Sequence, residues 1–287
     1  MKKTLLALTL ILATSAYAQT LATVNGEKID SSLIDQQVEL LKTRSNGEVQ
    51  DTKQLRNDLL EQAIMHKVIT QEAKRLKLGE TPEYKNIVYQ ENENAKKAGL
   101  DKSPTYKEDF EIFKENLLIE AYHYNILKNN PVTDKDVRKT YDDFTKYYKD
   151  SQEIRLAEII TNNENDAKQV ISELDSGKNF TDMVKKYSTD KDSKSNGGLF
   201  KSYVNLKDLA VGEPKLYEQV KGLDKGQYTK TPLSANGIWA VFQVNDKRKA
   251  SLPTFDSLKE QIEADLRDRK VKEAISKLAK KAKVKIN

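Results

Sequence analysis

The strongest constraint on this chain lies near its far end. There Phe255, Leu258, Ile262, Leu266, Val271, Ile275, Leu278 and Ala282 trace one long amphipathic helix, followed by an extended Val284-Lys285-Ile286. The steps are mostly three to five residues, the spacing that aligns side chains along one helix face. A lone helix cannot bury such a stripe. Its expected partners are helices of the N-terminal half, which would make the residues between them an insertion in a discontinuous helical domain.

The N-terminal half reads as almost wholly helical. Leu21 to Val24, Asn25-Gly26 and Lys28-Ile29 suggest a small hairpin, because Asn-Gly tolerates the positive φ of a type I′ turn. Asp30 or Ser31 can cap a helix to about Leu41, with Leu33, Val38 and Leu41 facing a core. A stronger helix runs from about Thr52 to Leu76. Thr81-Pro82 and Ser103-Pro104 each read as an N-cap with proline at the first helical position. The second opens a helix to about Asn129 whose apolar face is Tyr106, Phe110, Phe113, Leu117, Ala121 and Tyr124. Pro131 stops it, and Thr133 with Asp136 resembles a capping arrangement for the next.

The pattern changes near Ser151. Ile154, Leu156 and Ile160 alternate as in a strand; Asn165 to Leu174 and Phe180 to Tyr187 read as helices, with Gly177 ending the first. A glycine-rich loop at Gly197-Gly198, a loop and short helix over Leu209 to Lys221, and a last strand at Trp239 to Val244 follow. The fold class expected is α+β: a discontinuous helical domain with a small α+β domain inserted. Its parts are a signal segment at 1–18, helical residues 19–150, the inserted domain at 151–248, and a C-terminal helix at 249–287 packing on the N-terminal domain.

Lys2 and Lys3, a short run from Leu5 to Ala13 that is apolar except for Thr9, and Ala16-Tyr17-Ala18 read as an export signal, with cleavage expected before Gln19. About nine apolar residues reach only about 14 Å, half the ~30 Å core of a bilayer. The exported chain is therefore expected to be soluble, with no stable membrane insertion, and periplasmic in a Gram-negative source. It contains no cysteine, which excludes disulfides, thiolate zinc and thiol chemistry. The formal charge of +5 falls to +3 without Lys2 and Lys3, and the 32% charged residues are interspersed in sign. That describes a solvated surface rather than a nucleic-acid footprint. GxSxG, P-loop, GxGxxG and HExxH patterns are all missing.

Three stretches carry a family resemblance. Phe180, Tyr187-Ser188, Asp190, Ser193 and Gly197-Gly198 match the parvulin pattern F…(Y/F)-S-x-(D/C)-x-x-S-x-x-x-G-G. Leu223-Asp224-Lys225-Gly226 looks like the family's L-x-x-G turn, and Asn236-Gly237 precedes the position of its G-Y-H-I-I strand. The opening Ala22 to Gly26, the helix around Leu59 to Ala73, and Pro253-Thr254-Phe255 resemble the flanking parts of SurA-like chaperones. The chain thus resembles parvulin-type (PpiC-like) prolyl isomerases and SurA-like periplasmic chaperones.

The resemblance implies a peptidyl-prolyl cis–trans isomerase and folding chaperone for exported or outer-membrane proteins, binding unfolded chains and needing neither cofactor nor metal. It also places the site. Asp190 matches the family's Asp/Cys position, and Glu158 stands where the first-strand histidine of R-A-S-H-I-L lies. Leu209 and Leu216 match the apolar floor that grips proline, and Trp239 or, with one residue of slip, Ala240 replaces the second histidine. Catalytic roles thus fall to Asp190 and Glu158, and substrate binding to Leu209, Leu216 and Trp239. Four of them also have a plainer reading: Asp190 as a helix-end or turn residue, Glu158 as a lysine's partner, Leu209 and Leu216 as ordinary core. His66 and His123 lie on helices of the other domain, with no partner at metal-ligand spacing. Without either imidazole, isomerase activity is expected to be weak, and a catalytically inactive holdase of the same fold is the alternative.

Overall fold

The computed structural model describes residues 19–287, so the expected signal segment lies outside the described residues. The chain mixes helix and sheet and falls into two compact units. One runs to Thr133 and takes in Glu263–Asn287; the other is Asp134–Ile262.

The first unit opens with β1 (Thr20–Val24) and β2 (Glu27–Asp30), an antiparallel hairpin. Its turn residues Asn25 and Gly26 have φ of 49° and 90°, as a type I′ turn requires. Then come α1 (Ser31–Arg44), α2 (Lys53–Arg75), α3 (Pro82–Lys97) and α4 (Tyr106–Asn129). Thr52 caps α2 by accepting from the Leu55 amide at 3.1 Å, and Thr81 caps α3 through Tyr84 N at 3.3 Å.

Three expectations for this half change. Leu33 is 39% exposed while Ile34 is buried, so the inward face of α1 is Ile34 and Val38. Ser103-Pro104 does not open α4: Ser103 Oγ lies 3.1 Å from Thr105 Oγ1 in the turn before it. The buried face of α4 is Leu118, Tyr122 and Ile126, while Tyr124 is 68% exposed. An aromatic row confused that reading. Phe110 stacks between Tyr106 and Phe113, at 5.4 and 5.7 Å between ring centres, and supplies helical periodicity away from the main core.

The second unit starts with α5 (Asp134–Tyr148) and continues as β3 (Gln152–Thr161), α6 (Glu164–Asp175), α7 (Phe180–Tyr187), α8 (Lys191–Asn196), β4 (Val204–Asn205), α9 (Leu206–Gly212), α10 (Pro214–Val220), β5 (Leu233–Ala235) and β6 (Ile238–Lys249). Its antiparallel sheet has the order β4-β3-β6-β5. Both faces of β3 are covered. Ala157 and Ile159 join α6 and α7, whereas Ile154 and Leu156 join Leu209, Val220 and Phe242. Helix α5 is tied to this unit by the Tyr148 hydroxyl, which donates to Asp208 on α9 and is thereby pushed up to about 12. Tyr141 meets Phe255 edge-on at 5.4 Å, and its hydroxyl donates to the Pro253 carbonyl at 3.0 Å.

Helix α11 (Phe255–Ala279) and strand β7 (Val284–Ile286) complete the chain. The part of α11 that packs on α2 and α4 is Val271, Ala274, Ile275 and Leu278, against Ile69, Ala73, Leu118, Tyr122 and Ile126. Leu258 and Ile262, expected on that same interface, fall instead in the second unit. Strand β7 then pairs antiparallel with β1, giving the order β2-β1-β7 and joining the two ends of the described chain in one sheet.

Candidate functional site

The motif residues Ser188, Asp190, Ser193, Gly197 and Gly198 all work at one place, along an edge of β3. The Glu158 amide donates to Gly198 O at 2.9 Å, and the Phe200 amide to Leu156 O at 2.8 Å. Ser188 Oγ accepts from the Ile160 amide at 3.3 Å, and Ser193 Oγ donates to Glu158 O at 3.3 Å. Gly198 sits at φ +77°, and a Cβ there would lie 2.3 Å from Glu158 O. Only glycine lets the loop press this closely on the strand. Much of the motif is thus a clamp that fixes Glu158 and Asp190 beside each other.

Asp190 caps α8, accepting from the Ser193 amide at 2.8 Å, so the helix-end role is real. Its charge also reaches Glu158. The Glu158 carboxyl is half-buried and held above the usual carboxylate range, first by burial and then by Asp190; no cation offsets either. The alternative of a structural lysine partner therefore has no support among the described residues. What remains is a half-buried carboxyl group at a sheet surface that holds its proton more tightly than an ordinary carboxylate.

The sheet register settles which residues share that surface. Glu158 lies opposite Phe242, and Ile160 opposite Ala240, which in turn pairs with Leu233. Side chains alternate along a strand, so Glu158 follows Ile154 and Leu156 onto the face that Ala240 and Phe242 occupy. Leu209 on α9 and Leu216 on α10 pack in the same cluster. Trp239 points the other way, against the α6 and α7 cluster, which removes it from this face. Of the two positions the resemblance leaves open for the second imidazole, Ala240 is the one on the face of Glu158, and it brings no polar group.

Residues that motif matching passed over also line this region. Phe242 was hidden because one residue of slip in β6 exchanges the two faces. Pro214, Lys215, Glu218, Gln219, Pro232 and Leu233 line a groove of about 560 Å³ between α10 and β5. Gln219 Oε1 is buried there and accepts no hydrogen bond among the described residues. Strand β5 was unreadable in the sequence because it has three residues. The described residues hold no group of three or more His, Asp or Glu placed to bind a metal ion.

Residues 132–260 match the family model described as the PPIC-type PPIASE domain, a stretch that reaches beyond 151–248 on both sides. Over 286 residues the chain is 27% identical to a probable parvulin-type peptidyl-prolyl cis-trans isomerase of Bordetella pertussis, covering 98% of each. It is 27% identical to the foldase protein PrsA of Clostridium botulinum, covering 90% of this chain and 84% of that one. A solved structure from Campylobacter jejuni, from work describing PEB4 and Cj1289 as SurA-like chaperones, aligns at TM-score 0.35 and 24% identity. That alignment covers 94% of this chain and 100% of that one. Residues 132–260 are thus a parvulin-type, PPIC-type peptidyl-prolyl isomerase domain, set in a chain similar along nearly its whole length to isomerases and foldases of that kind.

Proposed function

We propose that the protein is an exported, periplasmic folding helper that holds unfolded outer-membrane or secreted chains and isomerises Xaa-Pro bonds in them slowly. The observation carrying this reading is the shared face of Glu158, Leu209, Leu216, Ala240 and Phe242 within the PPIC-type domain. Rotation about a prolyl bond loses amide resonance and faces a barrier of about 18–20 kcal/mol. A catalyst needs to grip the proline ring and favour the twisted bond over the planar one. Half-buried Leu216 supplies apolar surface for the ring, backed by the buried Leu209 and Phe242. Glu158 with a raised pKa can donate a hydrogen bond when protonated, whereas its ionised form only accepts. Burial, and after it the charge of Asp190, raises that pKa.

The second reading, a holdase of the same fold without turnover, is favoured by Ala240. A methyl group replaces the second imidazole, so no polar partner faces Glu158 from β6. Turnover of Xaa-Pro peptides by the protein lacking residues 1–18, beside suppression of aggregation of an unfolded outer-membrane protein, separates the two. Slow turnover with suppression supports the first reading, and suppression alone the second. Neither activity would refute both.

A further inference from the structure

A groove of about 590 Å³ opens in the first unit between α2, α4 and the end of α11. Such a volume suits a few residues of an extended chain. Val68, Tyr122, Ala274, Leu278 and Ala282 give it an apolar floor. Its charged residues are unbalanced: Arg75, Lys277 and Lys281 against the single carboxylate of Glu72. Arg75 already engages both oxygens of Glu72 at 2.7 Å. Lys281 adds a further attraction to the same carboxylate, holding its pKa below the usual range after Arg75. Lys277 and Lys281 stand four residues apart, and neither makes a salt bridge within 4.0 Å among the described residues, Lys281 acting on Glu72 only at longer range. Lys277 lies in the last turn of α11 and Lys281 just past its end at Ala279, so both cations gather at the helix C-terminus beside the groove. Tyr122 is 7% exposed, yet its hydroxyl has no hydrogen-bond partner among the described residues and lines the groove. The groove therefore offers a surplus of positive charge and a free hydroxyl beside apolar surface.

We infer that this groove takes up a segment of unfolded polypeptide carrying a carboxylate next to an apolar side chain. The carboxylate sits between Lys277, Lys281 and the Tyr122 hydroxyl, and the apolar group lies on Val68, Ala274 and Leu278. The inference rests on the chaperone half of the proposed function and is independent of prolyl isomerisation.

The test is fluorescence anisotropy of the chain lacking residues 1–18, with a labelled Leu/Glu peptide and its Leu/Gln counterpart. The Leu/Glu peptide should bind about fivefold tighter, the scale of two exposed ion pairs, and the gap should close as salt is raised. Lys277→Gln with Lys281→Gln should abolish the preference, while Lys272→Gln elsewhere on α11 keeps it. Equal affinity for both peptides, or an undiminished preference in the double variant, would overturn the inference. So would tight binding of phosphatidylglycerol vesicles that the Leu/Glu peptide fails to displace, which would make this a lipid surface. Aggregation suppression measured on the same proteins separates the failures. Suppression that survives without any peptide preference overturns the groove alone. Peptide preference without suppression overturns the holdase reading alone.

Discussion

Replacing Gly198 by alanine tests the clamp on β3 with an internal control. The new Cβ would lie 2.3 Å from Glu158 O, 3.1 Å from Glu158 N and 3.1 Å from Val184 Cγ2, so backbone rather than a flexible side chain must give way. Holding a non-glycine residue at φ +77° costs about 1–2 kcal/mol. Lifting the loop off the strand breaks the Glu158 N to Gly198 O hydrogen bond, about another 1 kcal/mol. Gly198→Ala should therefore destabilise the second unit by about 2–3 kcal/mol. Gly177 also has positive φ, at +88°, but nothing lies within 4 Å of its Cβ position. Gly177→Ala should cost only the conformational part, about 1–2 kcal/mol. The single tryptophan, Trp239, packs in the core of this unit, so urea unfolding followed by its fluorescence reports on the right part of the chain. Equal midpoint shifts for the two variants would refute a loop pressed against β3. Glu158 and Asp190 would then not be held together by the glycine pair.

Three further outcomes follow from the same geometry. Asp190→Ala removes the cap of α8 and should cost about 1 kcal/mol in the same urea assay, whereas Asp190→Asn, which can still accept from Ser193 N, should cost much less. Because the folded chain holds the Glu158 proton more tightly than the unfolded one, ionised Glu158 lowers stability above its folded pKa, and that penalty fades as pH drops towards the ordinary carboxylate value. Glu158→Gln should accordingly stabilise the second unit at pH 7 and lose that advantage as pH approaches 4; a gain independent of pH contradicts this. Deleting residues 254–287 removes β7 from the edge of β1 and strips Val271, Ile275 and Leu278 from α2 and α4, so thermal unfolding by far-ultraviolet circular dichroism should lose its cooperativity. A sharp transition in the truncated chain would show that the first unit does not need its C-terminal part.

Much of this architecture was legible because local chemistry and tertiary packing agree. Thr52, Thr81-Pro82, Asn25-Gly26 and Gly177 each do in the fold what their residue types suggest. The stripe on α11 required a partner and has one in α2 and α4, through its second half. Legibility failed where two patterns compete on one element. Helix α4 carries an aromatic row and a separate buried face, and periodicity alone selected the row. Strand β3 is covered on both faces, so Ala157 and Ile159 were left out of an alternation that recognised only one. In the site, residue identity located Glu158, Asp190, Leu209 and Leu216, but not the orientation of β6. Only its register with β3 shows that Ala240 and Phe242, rather than Trp239, share the face of Glu158. The short elements α8, β4 and β5 have too few residues to display a period at all.

The central claim is that the PPIC-type domain keeps the apolar floor of an isomerase while a carboxyl group and a methyl group occupy the two imidazole positions. The most direct measurement is the rate of cis–trans interconversion of a set of Xaa-Pro peptides by the protein lacking residues 1–18. A single-domain parvulin at equal concentration and the double variant Glu158→His with Ala240→His run alongside. The account predicts slow turnover by the natural sequence and faster turnover once both imidazoles are restored on the shared face. Turnover matching the single-domain enzyme, unchanged in the double variant, would contradict it.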